Sequence, residues 1–116
     1  MSILDIYEEY KKINKEYVEY NEKLLESKFT DNTDKSIIDN LNKFKEEFES
    51  LKIKSDTLEV NEDSETNIKD LQYLIVDAIF VSYDLINFYT GGYIERFKMR
   101  ITNYINKARR VENKLI

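Results

Sequence analysis

The first segment of the chain repeats apolar side chains at intervals that alternate between three and four positions. Charged residues such as Glu8 and Lys12 fill the intervening positions, and the apolar positions are Ile3, Ile6, Tyr10, Ile13, Tyr17, Tyr20 and Leu24. This spacing places side chains on one face of an α-helix. It predicts a helix from about Ser2 to Lys28. We expect its tyrosines to seat their rings in the core with hydroxyls reaching water, namely Tyr7, Tyr10, Tyr17 and Tyr20.

The second segment has the same spacing and predicts a helix from about Asp34 to Lys54. Its apolar positions are Ile37, Leu41, Phe44, Phe48 and Leu51. The polar run from Thr30 to Thr33 precedes it as a short loop, and Thr33 or Asp34 can cap the helix. From Asp56 to Ser64 the chain is acidic and loses the period, so we expect the longest loop there. Ser64 or Thr66 can cap the helix that follows.

The third segment, from about Glu65 to Tyr89, is apolar on almost every side. Its polar residues fall in one narrow strip that contains Asp70, Asp77 and Asp84. A helix of this kind is mostly enclosed by its neighbours. Because charges within a bilayer are costly, the aspartates in this run favour a core helix over a membrane span.

The glycines stand side by side at Gly91 and Gly92, and predict a left-handed helix cap and a tight reversal. A fourth seam follows at Ile94, Phe97, Ile101, Tyr104, Ala108, Val111 and Leu115. Four helices of similar length with short loops predict an all-α, antiparallel up-down-up-down four-helix bundle that forms a single domain over residues 1–116. The alternative is a protomer of two or three helices that completes its core by forming a homodimer.

Composition removes several kinds of chemistry. The chain has no Cys and no His, which excludes thiolate and histidine mechanisms and the commonest metal ligands. We find no catalytic motif and therefore expect no enzyme activity and no cofactor. The start, Met1 to Asp5, lacks the features of a signal peptide, so we expect a cytoplasmic protein. Abundant Lys, Asn, Ile and Tyr suggest an AT-rich genome of a microbe, phage or mobile element.

Positive charge is concentrated in the last segment. Residues 91–116 contain seven basic and two acidic residues (7 − 2 = +5), so the rest of this −5 chain sums to −10. A basic stripe of about 27 Å runs along the predicted helix through Arg96, Arg100, Lys107, Arg110 and Lys114. Such a stripe can follow a phosphate backbone, which makes nucleic-acid binding one alternative function. The negative net charge opposes it, and we expect instead that the stripe pairs with acidic flanking helices.

A carboxylate metal site is the enzymatic alternative. Glu46 and Glu49 stand three residues apart on the second predicted helix, and Asn67 and Asp70 stand three apart on the third. This arrangement resembles the all-α nucleoside triphosphate pyrophosphatases of the MazG type, with Glu-x-x-Glu followed one loop later by Glu-x-x-Asp. The resemblance covers four positions and implies Mg²⁺ ligands at Glu46, Glu49 and Asp70. Asn67 replaces a family Glu and removes one charged ligand.

The remaining candidate is a protein-binding surface. Tyr73 and Phe80 lie beside Asp77 and Asp84 on the helical wheel of the third segment. If this side faces solvent, it offers an aromatic pair bordered by carboxylates, as protein interfaces do. The alternative is that the aspartates pair with basic residues of the last helix or keep an apolar helix soluble. The function we favour is a non-catalytic protein that binds a protein partner as a regulator, inhibitor, immunity protein or accessory factor.

Overall fold

The computed structural model describes residues 2–29 and 33–115, and its backbone forms four α-helices with no strand in those ranges. The helices are α1 Ile3–Glu26, α2 Lys35–Asp56, α3 Glu65–Thr90 and α4 Ile94–Leu115. The predicted all-α fold with four helices is confirmed. Most of the predicted loop at Thr30 to Thr33 lies outside the described residues. So do the side chains of residues 111–115, which include the seam positions Val111 and Leu115.

Local hydrogen bonds explain where two of the helices begin. The Ser2 side chain accepts from the backbone N–H of Asp5, whose carboxylate accepts in return from the N–H of Ser2. Asp34 caps α2, with its carboxylate 2.9 Å from the N–H of Ser36. Ser64 holds the capping position of α3, but its side chain makes no capping hydrogen bond. Ser64 therefore holds the predicted position, but the predicted side-chain cap is wrong for Ser64, and Thr66 lies within α3.

The turn between α3 and α4 uses its two glycines differently. Gly91 has a right-handed φ of −81°, whereas Gly92 has a φ of +79°, the left-handed conformation that glycine adopts without strain. The predicted left-handed residue is therefore Gly92 and not Gly91. Gly91 is limited by space, because a Cβ there would lie 2.8 Å from the ring of Tyr93 and 3.1 Å from the carbonyl oxygen of Asn87.

The core lies between the four helices, with α1 packed on α2 and α4 and with α3 packed on α2 and α4. The largest fully buried side chains come from all four helices and include Tyr17, Phe48, Ile75, Leu85 and Ile101. For α1, α2 and α4, the apolar spacing therefore identifies the face that each helix buries. The molecule is elongated, with dimensions of 52 × 26 × 18 Å.

Polar side chains also enter this core. The buried hydroxyls of Tyr17 and Ser82 lie 2.8 Å apart, and Ser82 in turn donates to the carbonyl of Ala78 at 2.8 Å. The hydroxyl of Tyr104 donates to the buried amide oxygen of Asn14. The expectation that the tyrosine hydroxyls of the first helix reach water is wrong for Tyr17, because α3 supplies a polar partner inside the bundle. Burial raises the pKa of Tyr17 and Tyr104 far above the ordinary value of 10.0.

Candidate functional site

Helix α3 turns one row of apolar side chains to solvent, which we call the aromatic face: Tyr73, Val76, Phe80 and Tyr83. The three aromatic residues are 62%, 60% and 46% exposed, and Val76 is half-buried. Intervals of three, four and three residues place the four side chains on one side of the helix. The prediction that this helix is mostly enclosed is wrong for this side. Because α2 and α4 flank α3 and the core lies behind it, the outer side stays open.

The border of the aromatic face toward α4 consists of two ion pairs. The carboxylate of Asp77 lies 3.1 Å from the ammonium of Lys107, and that of Asp84 lies 3.0 Å from the guanidinium of Arg100. The alternative in which the aspartates pair with the last helix is therefore observed for these two. Partial burial lowers the pKa of Lys107, but hydrogen bonds to Asp77 and Tyr73 outweigh it, and the net pKa is raised.

Lysine side chains cover the tyrosine rings at both ends of the aromatic face. The ammonium of Lys107 lies 4.9 Å from the ring centroid of Tyr73, and that of Lys45 on α2 lies 4.5 Å from the centroid of Tyr83. Lys45 is also 3.6 Å from the carboxylate of Glu49. Each lysine thus combines a cation–π contact with an acidic partner. The exposed rings consequently lie between two borders, toward α2 and toward α4, in which each of these basic side chains is paired with a carboxylate.

The predicted basic stripe on α4 is divided between different contacts. Arg100 and Lys107 form the ion pairs with α3, as we expected of the stripe. Arg96 lies 5.5 Å from the ring centroid of Tyr93, and Arg110 is exposed. Lys114 belongs to the residues whose side chains are not described. Of the four stripe residues whose side chains are described, two therefore form ion pairs with α3 and a third contacts a tyrosine ring, which leaves less free positive charge than the sequence suggests.

The acidic residues of the metal alternative do not converge. Glu49 pairs with Lys45, while Glu46 lines a shallow groove between α1 and α2. Asp70 is exposed on α3. Among the residues that the structure describes, no group of three or more acidic side chains is placed to hold a metal ion. The structure thus does not bring together the positions on which the pyrophosphatase resemblance rests.

Length and composition would also allow α3 to cross a membrane, and it is the one described helix with this property. Of its most apolar window, 33% is buried inside the fold. Core helices of soluble proteins pass the same test, so this property is weak evidence for a membrane span.

Sequence reasoning missed Val76 and Tyr83 as members of the aromatic face. Their signal was present, since both lie in the same three-four series as Tyr73 and Phe80. An apolar helix carries several such series, however, and only the packed structure shows which one faces outward. No family model matches this chain, and neither a curated protein nor a solved structure is significantly similar to it.

Proposed function

We propose that this protein is a non-catalytic interaction protein that binds a protein partner through the aromatic face of α3. The observation that carries the proposal is the exposure of Tyr73, Phe80 and Tyr83 along one side of one helix. Aromatic side chains of this kind are enriched among the residues that dominate interface energetics. The contiguous apolar patches that small proteins expose are often functional.

The helix that carries these side chains is well anchored. Its opposite side buries Ile75, Ala78 and Leu85 completely. Residues on a fixed helix lose little conformational freedom when a partner binds, so less of the interaction energy is spent on ordering the backbone. This anchoring favours α3 as a docking element over the loops.

We extend the proposal to topology, with the four helices running up, down, up and down. Contacts between side chains support this topology. For each pair of consecutive helices, residues later in one helix contact residues earlier in the other, as antiparallel helices do. The pairs are Glu9–Lys54 and Tyr20–Asn40 for α1 and α2, Asp56–Gln72 and Lys45–Tyr83 for α2 and α3, and Asp77–Lys107 and Asp84–Arg100 for α3 and α4. In this arrangement α2 and α4 lie on either side of α3 and leave the aromatic face open between them.

The two alternative functions have less support. Nucleic-acid binding would use Arg100 and Lys107, and both are held by carboxylates of α3. A Mg²⁺-dependent reaction would need Glu46, Glu49 and Asp70 to converge, and these side chains face different surroundings.

The test is affinity capture with matched baits from cells that express the protein. We expect a protein captured by the wild-type chain to be lost with Phe80→Ala, because truncation removes the central exposed ring. Met99→Ala is the control, since Met99 is 64% exposed but lies on α4. Circular dichroism should show that all three baits are equally helical. A partner retained equally by Phe80→Ala and wild type would contradict the proposal.

A further inference from the structure

The outer side of α3 continues the aromatic face at both ends with polar residues. Lys69 precedes it and Asn87 follows it, and both are exposed. The intervals along the full row of Lys69, Tyr73, Val76, Phe80, Tyr83 and Asn87 are four, three, four, three and four. This alternation is the spacing of a coiled-coil seam, along which a second helix packs. The row therefore has an apolar centre, polar ends and the geometry to receive a helix.

This seam is complementary to itself when a copy runs antiparallel about an axis near residue 78. Tyr73 then lies opposite Tyr83 of the second copy, and Phe80 lies opposite Val76 of the second copy. The large ring of Phe80 meets the smaller side chain of Val76, which lies half-buried between its neighbours. A two-fold axis repeats each of these contacts, as in the isologous interfaces of symmetric dimers. A large residue opposite a small one also lets two helices pack closely.

The charges beside the seam permit two copies to approach. A chain of net charge −5 repels its own copies at long range. Antiparallel pairing would also bring Asp77 toward its own copy and Asp84 toward the exposed Asp70 of the second copy. Lys107 and Arg100 neutralise the first two of these carboxylates within each chain, at 3.1 and 3.0 Å. Repulsion is therefore reduced at the surface where contact would occur.

We infer that the occupant of the aromatic face is a second copy of this chain, with α3 packed antiparallel on α3 in a two-fold dimer. The inference rests on the proposed function, because it names the partner of the same face. A helix that is apolar on nearly all sides is typical of a fully surrounded helix, and the second copy would supply the missing cover.

The area involved sets the expected strength of this dimer. Three aromatic side chains of about 200 Å² each, exposed by roughly half, offer on the order of 300 Å². A standard interface buries about 800 Å² on each partner, so the flanking residues of α2 and α4 must contribute the remainder. We therefore expect association that depends on protein concentration.

The first measurement is sedimentation equilibrium of the purified chain over a wide concentration range. We expect dimer at high concentration for wild type and for Met99→Ala, and monomer for Phe80→Ala with unchanged circular dichroism. A wild-type chain that stays monomeric overturns the inference, and so does a Phe80→Ala chain that dimerises as wild type does.

The second measurement tests the register of the two α3 helices. The chain has no native Cys, so only the introduced thiols can react. Tyr73→Cys and Tyr83→Cys are prepared separately, mixed, and treated with a short bismaleimide. We expect cross-linked dimer in the mixture, because the two positions face each other. Either variant alone should react poorly, since like positions lie ten residues or about 15 Å apart along the helix. Efficient reaction of Tyr73→Cys with itself would indicate parallel pairing and overturn the antiparallel arrangement, as would a dimer that gives no cross-link in the mixture.

A different protein or a lipid surface on the aromatic face would give other results in these experiments. A monomeric wild-type chain that still captures a different protein through Phe80 would overturn the dimer and leave the proposed function supported. Wild-type flotation with vesicles of phosphatidylcholine and phosphatidylglycerol, lost in Phe80→Ala, would overturn both in favour of a lipid surface.

Discussion

The molecule holds two groups of aromatic rings with opposite surroundings. In the core, the ring of Tyr17 lies 5.0 Å from Phe44, 5.4 Å from Phe48 and 5.5 Å from Tyr104, centroid to centroid. On the aromatic face, Tyr73 and Phe80 are more than half exposed. The core rings contact residues of other helices and so hold the bundle together. The exposed rings leave more than half of their surface to solvent, so packing in the core does not explain their presence.

This contrast separates residues that maintain the fold from residues available for function. The hydroxyl of Tyr17 forms a hydrogen bond with that of Ser82, an internal partner. Tyr73 and Tyr83 instead lie beneath lysine ammonium groups at the surface. Substitutions in the core should therefore act on the free energy of unfolding. Substitutions on the aromatic face should act on association.

We expect the largest difference in the free energy of unfolding between Ile101→Ala and Phe80→Ala. Ile101 is fully buried, so its truncation should lower the free energy of unfolding by about 2–5 kcal/mol. Phe80 is 60% exposed, and its truncation should change stability by roughly 0.5 kcal/mol or less. Urea unfolding followed by circular dichroism measures both. Leu74 would be a poorer core probe, because it is half-buried. Equal losses in the two variants would place Phe80 in the core and remove the contrast.

The next effect concerns pH and the buried hydroxyls. Burial raises the pKa of Tyr17 and Tyr104, whereas the unfolded chain ionises near the ordinary value of 10.0. As pH rises, these tyrosines therefore lose their protons at a lower pH in the unfolded state than in the folded state. The free energy of unfolding should consequently fall as pH rises above 10.0. Lys107, whose pKa is also raised, acts in the same direction.

Tyr17→Phe tests this dependence, and Tyr83→Phe is the control on the aromatic face. Tyr17→Phe should lose about 1 kcal/mol at neutral pH, because one buried hydrogen bond is removed, and should fall less steeply in alkali. Tyr83→Phe should keep the wild-type free energy of unfolding at neutral pH, because its side chain is 46% exposed and no buried hydroxyl is removed. Unfolding curves across the alkaline range provide the measurement, and identical slopes for Tyr17→Phe and wild type would refute the assignment.

The smallest expected effect lies at the border of the aromatic face. Asp77→Asn breaks the ion pair between Asp77 and Lys107. The side chains of these two residues are 20% and 35% exposed, respectively. We expect a loss of up to about 1 kcal/mol in the free energy of unfolding, reduced by added salt. Glu22→Gln breaks the more exposed pair with Arg109 and should have almost no effect. Unfolding at low and high salt compares the two, and an equal loss in both variants would contradict the distinction.

Much of the fold could be predicted because each helix needs one apolar face. The seam of α1 identifies Ile6, Tyr10 and Tyr17 as buried, and the structure agrees. The same reasoning missed Asn14 and Asn21, which are also buried on α1. The partner of Asn14 is Tyr104 on another helix, and a single segment does not reveal it. Asn21 instead donates to the carbonyl of Tyr17 on its own helix.

The candidate site was only partly predictable for a related reason. Tyr73 and Phe80 were identified from their position beside Asp77 and Asp84 on the helical wheel. Helix α3 is apolar on most sides, so its sequence does not predict which side of the helix faces the core. Which row faces solvent depends on where the other three helices pack.

The elongated shape of the molecule has a hydrodynamic consequence. A particle of 52 × 26 × 18 Å meets more friction than a sphere of equal mass and elutes early in gel filtration, where a single chain can be mistaken for a dimer. Pairing side by side along α3 adds mass and width but little length. The frictional ratio of such a dimer should therefore be lower than that of the monomer, whereas pairing end to end would raise it. Sedimentation velocity thus distinguishes the two assemblies by shape, even where their masses are the same.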